Sequence, residues 1–419
     1  MTGGTAARQT VLVLTPYRRV LATEGALRFT TSAFVGRLPI SMISLGIVLL
    51  VSARSGSYGL AGTVASAYVL ANALLAIVHG RLVDRFGQAL VLPLAQSAFT
   101  GALAMTVWAV QAEWGTVAIH GFAALAGACL PQLGACVRAR WSWVLDEPRS
   151  VQTAYALESV VDEVVFVTGP TLVTFLATAW HPVAGLAVAG TFGIVGAFTL
   201  AAQRATEPPA RTRSRAADTG PVTGSAGDPD AKPAMPWAVV GTLALVSVAL
   251  GTIFGSVEVI TVAFSEEQGA KAWAGPLLGM WALGSLTAGL VSGAIAWRTP
   301  PETRVAWGVL ALGLTTVPLF WVDSMWVMGG FLLLGGVAIA PTLIAVMTVV
   351  EREVPRLRLT EGMAIVHTGL AAGVAPGAAL AGLVIDHQGA SAGYAVPVAA
   401  GVIGAIAAWV ARRPITSSP

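Results

Sequence analysis

Charge is the scarcest commodity in this sequence. Asp, Glu, Lys and Arg make up 11% of its 419 residues, under half the share of about 25% that a water-soluble domain carries. A soluble enzyme of this length could not cover its surface from that supply. Disorder is excluded from the other side, because 55% of the residues are hydrophobic and a disordered chain is poor in them. Cysteine is nearly absent. Cys129 and Cys136 are the only two, and both lie in one apolar stretch, which excludes a disulfide framework and reads as two small buried hydrophobes. Lysine is as rare: Lys232 and Lys271 stand against 22 arginines, a bias of GC-rich coding DNA that points to a bacterium. The five histidines are scattered. No His-Glu-x-x-His helix, nucleophile–base constellation or Gly-x4-Gly-Lys-Ser/Thr loop occurs, so the sequence argues against an enzyme, a metal site, a cofactor and an ATP-driven pump.

What is present is apolar sequence in long runs. About 20 apolar residues in a helix cross about 30 Å of hydrocarbon, and twelve such runs occur near 29–51, 58–79, 89–110, 115–137, 155–180, 183–203, 237–264, 273–297, 305–322, 326–350, 362–385 and 392–411. The first begins too late and runs too long for a cleavable signal peptide, and is expected to be a true first span. Residues 204–236 are polar and rich in Pro and Gly, a composition that cannot bury enough surface to fold alone. The expected organisation is therefore a six-helix bundle over 1–203, a flexible cytoplasmic linker over 204–236 and a second six-helix bundle over 237–419. If the N-terminus is cytoplasmic, all but three of the 24 basic residues fall on inner segments; Arg54 and Lys271 lie outside and Arg37 lies within a span. The excess of positive charge on inner loops puts both termini inside and leaves no basic patch for a nucleic-acid partner. Pro131-Gln-Leu-Gly-Ala135 in the fourth run is echoed by Pro341-Thr-Leu-Ile-Ala345 in the tenth, which favours a parallel duplication with a binding site between two halves.

Between the second and third runs stands Gly80-Arg-Leu-Val-Asp84-Arg85-Phe-Gly87. This resembles the G-x-L-x-D-R-x-G signature of the major facilitator superfamily, at the same place in the same topology. Gly80 and Gly87 are expected to allow a tight turn, with Arg81 and Arg85 at headgroup level and Asp84 facing the positive N-terminal end of a neighbouring helix. The resemblance implies that this helix is span eleven, and that the loop acts as a gate holding the halves together on the cytoplasmic side of an outward-facing state. It also implies an all-α polytopic fold of twelve transmembrane helices in two pseudo-symmetric bundles, and secondary active transport of a small molecule across the bacterial cytoplasmic (inner) membrane. Departures from the pattern are Gln88 and Ala89 after the second glycine, apolar residues around Ala123 in span four, and only Gly169-Pro170 of the antiporter signature in span five. The resemblance to drug/proton antiporters is thus a distant one, nearer to a poorly characterised bacterial group.

An ionised group at mid-bilayer is costly and tends to be paired or functional. Arg37 lies about nine residues into span one; Glu158, Asp162 and Glu163 lie in span five, Glu258 deep in span seven and His367 in span eleven. Glu158 and Asp162 share a helix face at i, i+4 and would repel each other unless a cation intervenes. Arg37, Arg138 and Arg140 are the candidates, with Arg37 and Asp162 the expected buried pair and Glu158 nearer the cytoplasmic surface. Glu258 has no cation nearby in sequence and is a candidate for proton coupling or for contacting a cationic substrate group. His367 could join a proton relay. Gly169, Pro170, Gly373, Pro376 and Gly377 are expected to pack or bend helices. Few polar residues lie within the spans, which favours proton-coupled efflux of a small amphipathic compound by a monomer in the lipid bilayer over import of a polar metabolite.

Overall fold

The computed structural model describes residues 17–210, 234–294, 297–355 and 358–415. Twelve helices are long and apolar enough to cross a membrane: α1 (Ala26–Ser55), α2 (Tyr58–Phe86), α3 (Gln88–Gln111), α4 (Thr116–Val144), α5 (Pro148–Ala179), α6 (Ala184–Ala202), α7 (Trp237–Glu267), α8 (Lys271–Ser292), α9 (Pro301–Trp321), α10 (Met325–Glu353), α11 (Glu361–Gln388) and α12 (Ala390–Val410). Among the described residues there is no strand. Leu74, Leu94, Leu290 and Ile406 are exposed on the outside of the bundle, a surface suited to lipid rather than to water. An even number of crossings leaves both chain ends on one face, called the terminal face below; the opposite face carries the α1–α2, α5–α6, α7–α8 and α11–α12 turns.

Packing repeats after six helices. α1 packs on α5 and α6, as α7 does on α11 and α12; α2 packs on α4, as α8 does on α10; and α3 touches α6, as α9 touches α12. The chain thus forms two six-helix bundles of like design. The repeated prolines leave a matching mark. α4 breaks into Thr116–Cys129 and Leu133–Val144, and α10 into Met325–Gly336 and Ile339–Glu353. Pro131 has no N–H to offer the Gly127 carbonyl four residues back and pushes Leu130 into extended backbone. The Asn72 side chain of α2 donates to that freed carbonyl oxygen at 3.3 Å.

Small residues bring backbones together within each half. A Cβ on Gly373 would lie 1.9 Å from the Val248 carbonyl oxygen, and one on Gly377 would lie 2.2 Å from that of Thr252; from the other helix, Gly251 and Gly255 approach Leu370 and Val374 as closely. These four glycines weld α7 to α11 inside one half, with Pro376 inside the helix between them. In the other half, a Cβ on Gly169 would strike the Ser41 hydroxyl of α1 at 1.9 Å, and that hydroxyl donates to the Val165 carbonyl oxygen at 2.9 Å.

Two details depart from the expected organisation. Gly80 is helical and no turn forms there, because Arg81–Phe86 contains no breaker and α2 simply runs on beyond the apolar stretch. The turn is made by Gly87 alone, at φ 89°. Residues 204–207, placed in the linker by composition, belong to the first bundle. Arg140 is fully buried and donates to the Leu200 and Gln203 carbonyl oxygens, to Thr206 and to Gln88, so it caps the end of α6 rather than serving span five. Glu207 accepts from the Ala89 amide at 2.9 Å and caps α3. Of the expected linker, 211–233 lies outside the described residues.

Gly373→Val places a branched side chain against the Val248 carbonyl. Overpacking of this kind costs about 1–3 kcal/mol or more, so the detergent-solubilised variant is expected to melt several degrees below the parent in a thermal unfolding assay. Gly330→Ala, with open space around it, is expected to leave the melting temperature unchanged.

Candidate functional site

Arg37 sits between two carboxylates of α5. Its Nη2 donates to Glu158 Oε2 at 2.5 Å and its Nη1 to Asp162 Oδ1 at 2.7 Å, while Nε bonds the Ala33 carbonyl oxygen. Arg138 of α4 donates to the second oxygen of Asp162 at 2.7 Å, and the Trp141 indole donates to Glu158 Oε1 at 2.8 Å. The i, i+4 spacing puts both carboxylates on one face, and α1 and α4 supply the cations to it. Two arginines meet two carboxylates, so the cluster is neutral. Arg37 and Asp162 pair, but of the two carboxylates the one nearer the terminal end of α5 is the more shielded: Glu158 is 0% exposed and Asp162 33%. Glu158 is sealed by Trp141, itself packed edge-on against Phe29 at 4.6 Å. Glu163 is partly buried beside Asp162 and has no hydrogen bond or ion pair among the described residues.

Glu258 lies elsewhere, about 13 Å of helix short of the end of α7 at Glu267. Its Oε1 is shielded from solvent and has no hydrogen-bond partner. The polar side chains around it come from the other half: Ser44 of α1 beside the carboxyl, and Tyr68 of α2 close enough to feel its charge. Among the described residues no arginine, lysine or histidine pairs with it. His367 is not brought to this level. It is exposed on α11, bonded through Nδ1 to the Met363 carbonyl oxygen, about 16 Å of helix from the Ala378 turn that packs beside Gly255.

The halves meet toward the far face. Asp386, at the end of α11, accepts from Ser57 Oγ at 2.7 Å and from the free amides of Tyr58 and Gly59 at 2.7 and 2.9 Å. One carboxylate of the second half therefore caps the N-terminus of α2 in the first, where the helix dipole favours it. Below it, a Cβ on Gly382 would lie 2.3 Å from the Tyr58 carbonyl oxygen and one on Gly62 2.4 Å from that of Ala378, and Ser66 donates to the Ala375 carbonyl oxygen at 2.7 Å. Tyr58 also bonds Glu266, which pairs with Lys271 at 2.9 Å. On the other side of the molecule, Gly275 of α8 abuts the Pro170 carbonyl. Gly169 and Pro170 thus face two different helices, α1 in their own half and α8 in the other.

The Gly80–Gly87 segment lies at the opposite end. Asp84 is exposed, as are Arg81 and Arg85, and makes no hydrogen bond or ion pair among the described residues. It borders a recess of about 230 Å³ with Gly80, Gln88, Gln132 and Pro208, all in its own half. The contact with span eleven that the sequence motif implies is not made here: the bonded stretch of α2 ends near Ser66, about 27 Å of helix from Asp84.

The profile of the family described as Major Facilitator Superfamily matches residues 29–356. The chain belongs to the major facilitator superfamily. Solved superfamily-type structures superpose over more than nine-tenths of it: a peptide transporter, POT, in complex with sulfate (TM-score 0.69, 13% identity, 94% of each chain covered); a nucleoside transporter, NupG (0.69, 12%, 94% of this chain and 99% of that one); and a bacterial homologue of the iron transporter ferroportin in an inward-facing state (0.64, 16%, 92% and 98%). At these identities the likeness is one of fold. No curated protein matches the sequence significantly. A superfamily chain of twelve spans is a membrane transport protein, and its substrate is a small molecule.

Sequence reasoning missed Asp386, Tyr68, Ser44 and Trp141. An acid at a span end, a phenol or a serine in a span carries no local signal; only the partner helix gives it meaning.

Arg37→Met leaves Glu158 buried without its cation, and breaking such a pair costs about 3–5 kcal/mol. The single variant is expected to lose folded yield and melting temperature. Arg37→Met/Glu158→Gln, which keeps the Arg138–Asp162 pair, is expected to recover most of both, as read by fluorescence-detected size exclusion and thermal melts.

Proposed function

We propose that this superfamily member is a proton-coupled secondary transporter that exports a small amphipathic organic compound from a bacterial cell by alternating access. Glu258 is the group that carries the proton. The observation behind this is the Glu258 carboxyl: partly buried with Oε1 shielded, unpaired by any cation among the described residues, and set where side chains of both halves meet. A carboxylate with no cation beside it is costly inside a membrane unless a proton or a cation meets it, and a sealed transporter crosses more readily when that position is neutral. Proton and substrate then alternate at one place, which is what exchange requires.

Orientation follows from the basic residues. With the arginine-rich terminal face in the cytoplasm of the inner membrane, the contacts closed by Asp386 lie outside, and the conformation is inward-facing. The first bundle, which includes 204–207, and the second, from Trp237 on, rock as two bodies. Asp84 is then unengaged because its partner surface on α11 has swung away; it closes the cytoplasmic side in the alternate state while Asp386 lets go of α2. Arg37, Glu158, Asp162 and Arg138 fix the register of α1, α4 and α5 rather than carry protons, and Glu163 and His367 stand outside the coupling step.

Glu258→Gln, nearly isosteric, is expected to abolish concentrative transport driven by a pH gradient in proteoliposomes, by roughly tenfold or more, with exchange down a substrate gradient retained. Unchanged concentrative transport would remove Glu258 from the coupling. The two end carboxylates are expected to act in opposite directions. Capping interactions of this kind are worth up to about 2 kcal/mol, so Asp386→Asn shifts the population toward outward-facing by roughly tenfold and Asp84→Asn shifts it inward. Spin-label distances between far-face positions 55 and 388 read both shifts; equal distances in all three proteins would contradict the latch.

A further inference from the structure

Beside Glu258 stands an aromatic pair that the transport reading leaves unused. Phe254 precedes Glu258 by four residues and so shares its face of α7. Its ring meets that of Trp281 on α8 edge-on, with centroids 5.4 Å apart and planes at 87°. Both side chains are only partly buried, so the rings are not sealed into the core. Trp281 in turn lies against the break in α10, where a Cβ on Gly336 would strike its carbonyl oxygen at 2.1 Å. On α2 of the other half, Tyr68 has a phenol oxygen that is buried and, like Glu258 Oε1, without a hydrogen-bond partner among the described residues. Glu258 thus shares a helix face with one ring of the aromatic pair and lies within electrostatic reach of a second orphaned oxygen, with no cation paired to either oxygen among the described residues.

Buried polar atoms are ordinarily satisfied, and an unmatched pair in a transporter asks for a ligand that matches it. We infer that the pocket formed by Glu258, Tyr68, Phe254 and Trp281 binds a protonated amine carrying an apolar body. An ammonium N–H donates to Glu258 Oε1 and to the Tyr68 oxygen. Its positive charge is drawn to the ring faces of Phe254 and Trp281, and its apolar body lies along the same rings. The surrounding charges fit one sign of substrate only. Arg37 and Arg138 are occupied by Glu158 and Asp162, which leaves, among the described residues, no free guanidinium at Glu258 for a carboxylate or phosphate. A quaternary ammonium would keep the cation–π attraction but leave both oxygens unbonded, so the pocket prefers amines that retain an N–H. The inference rests on the transport reading for the role of Glu258 and adds the substrate class to it: amine and proton compete for one carboxylate.

The test uses the full chain in nanodiscs and four probes of one shape: 4-phenylbutylamine, its trimethylammonium analogue, 4-phenylbutanol and 4-phenylbutyrate. Calorimetric titration is expected to rank the primary amine first, the quaternary analogue several-fold weaker and the alcohol at least roughly tenfold weaker, with no binding of the anion. Glu258→Gln is expected to bring the amine down to the level of the alcohol while leaving the alcohol unchanged. Phe254→Leu and Trp281→Leu are expected to weaken the amine and the quaternary probe together, by a few-fold. Affinity that does not distinguish amine from alcohol, or that survives Glu258→Gln, would overturn the inference. Size-exclusion profiles and melting temperatures matching the parent identify the folded variants; should Glu258→Gln fail to fold, Tyr68→Phe serves instead, with loss of the primary amine's advantage over the quaternary probe expected and its persistence counting against the pocket. The outcome is separable from that for coupling. A protein that couples transport to protons through Glu258 yet binds no amine loses the inference and keeps the function proposed above; one that binds the amine at Glu258 without responding to a pH gradient loses the coupling and keeps the pocket.

Discussion

Contact between helix backbones is what the rest of this structure depends on. Helices in hydrocarbon gain no hydrophobic stabilisation from meeting one another, so they associate through close packing and polar bonds. The sequence supplies both unevenly. Inside the second half, Gly251, Gly255, Gly373 and Gly377 interleave α7 and α11 over several turns, and inside the first, Gly36 and Gly196 bring α1 against α6 while Gly169 meets Ser41. Between the halves, the corresponding approaches at Gly62, Gly382 and Gly275 are confined to one end of the helices. A fold held tightly within each bundle and at only one end between bundles is divided where alternating access needs it divided.

The charges obey the same division. An arginine within a span has to be met nitrogen by nitrogen, and Arg37 is: one nitrogen to backbone, one to Asp162, one to Glu158. The first half thereby meets Arg37, Glu158 and Asp162 internally, and leaves Glu163 beside them without a partner among the described residues. The second half gives its own intramembrane acid no such cluster. Glu258 has an oxygen with no partner, and the polar groups nearest to it belong to the opposite bundle. An unmet charge is cheapest where something else will meet it, and of the six intramembrane acids and bases picked out in the sequence, Glu258 has Ser44 and Tyr68 of the opposite bundle beside it.

Much of this was legible from one-dimensional pattern. Hydropathy found all twelve spans, since the length of an apolar run is a local property fixed by membrane thickness, and the Gly80–Gly87 motif carried the family. The i, i+4 spacing placed Glu158 and Asp162 on one face, but could not tell which is buried: that is decided by Trp141 of α4, which closes over Glu158. It could not separate Arg138, which reaches Asp162, from Arg140 two residues on, which turns nearly 200° away into the end of α6. Gly80 was read as a turn because glycine permits one; the helix continued because nothing in Arg81–Phe86 stops it. The hardest feature was Asp386. Its meaning comes from α2, more than 300 residues away in sequence.

Asp84 and Asp386 occupy related positions on partner helices, one at the terminal end of α2 and the other at the far end of α11. In this structure the second accepts from the Ser57 hydroxyl and the Tyr58 and Gly59 amides, and the first has no partner among the described residues. Rigid helices that close on one face open on the other, so the two carboxylates are not expected to hold their helix ends at once. On the proposed reading the transporter therefore keeps two latches of comparable strength and never engages both. Neither can be very strong, since a deep minimum on either face would trap the protein there. What decides the balance is the state of the unpaired carboxyl between the halves. With its charge unmet, Glu258 opposes the sealed intermediate through which both latches must be open; with a proton or a cation bound, that cost is lifted, and the weak latches then serve only to say which face the neutral carrier settles toward.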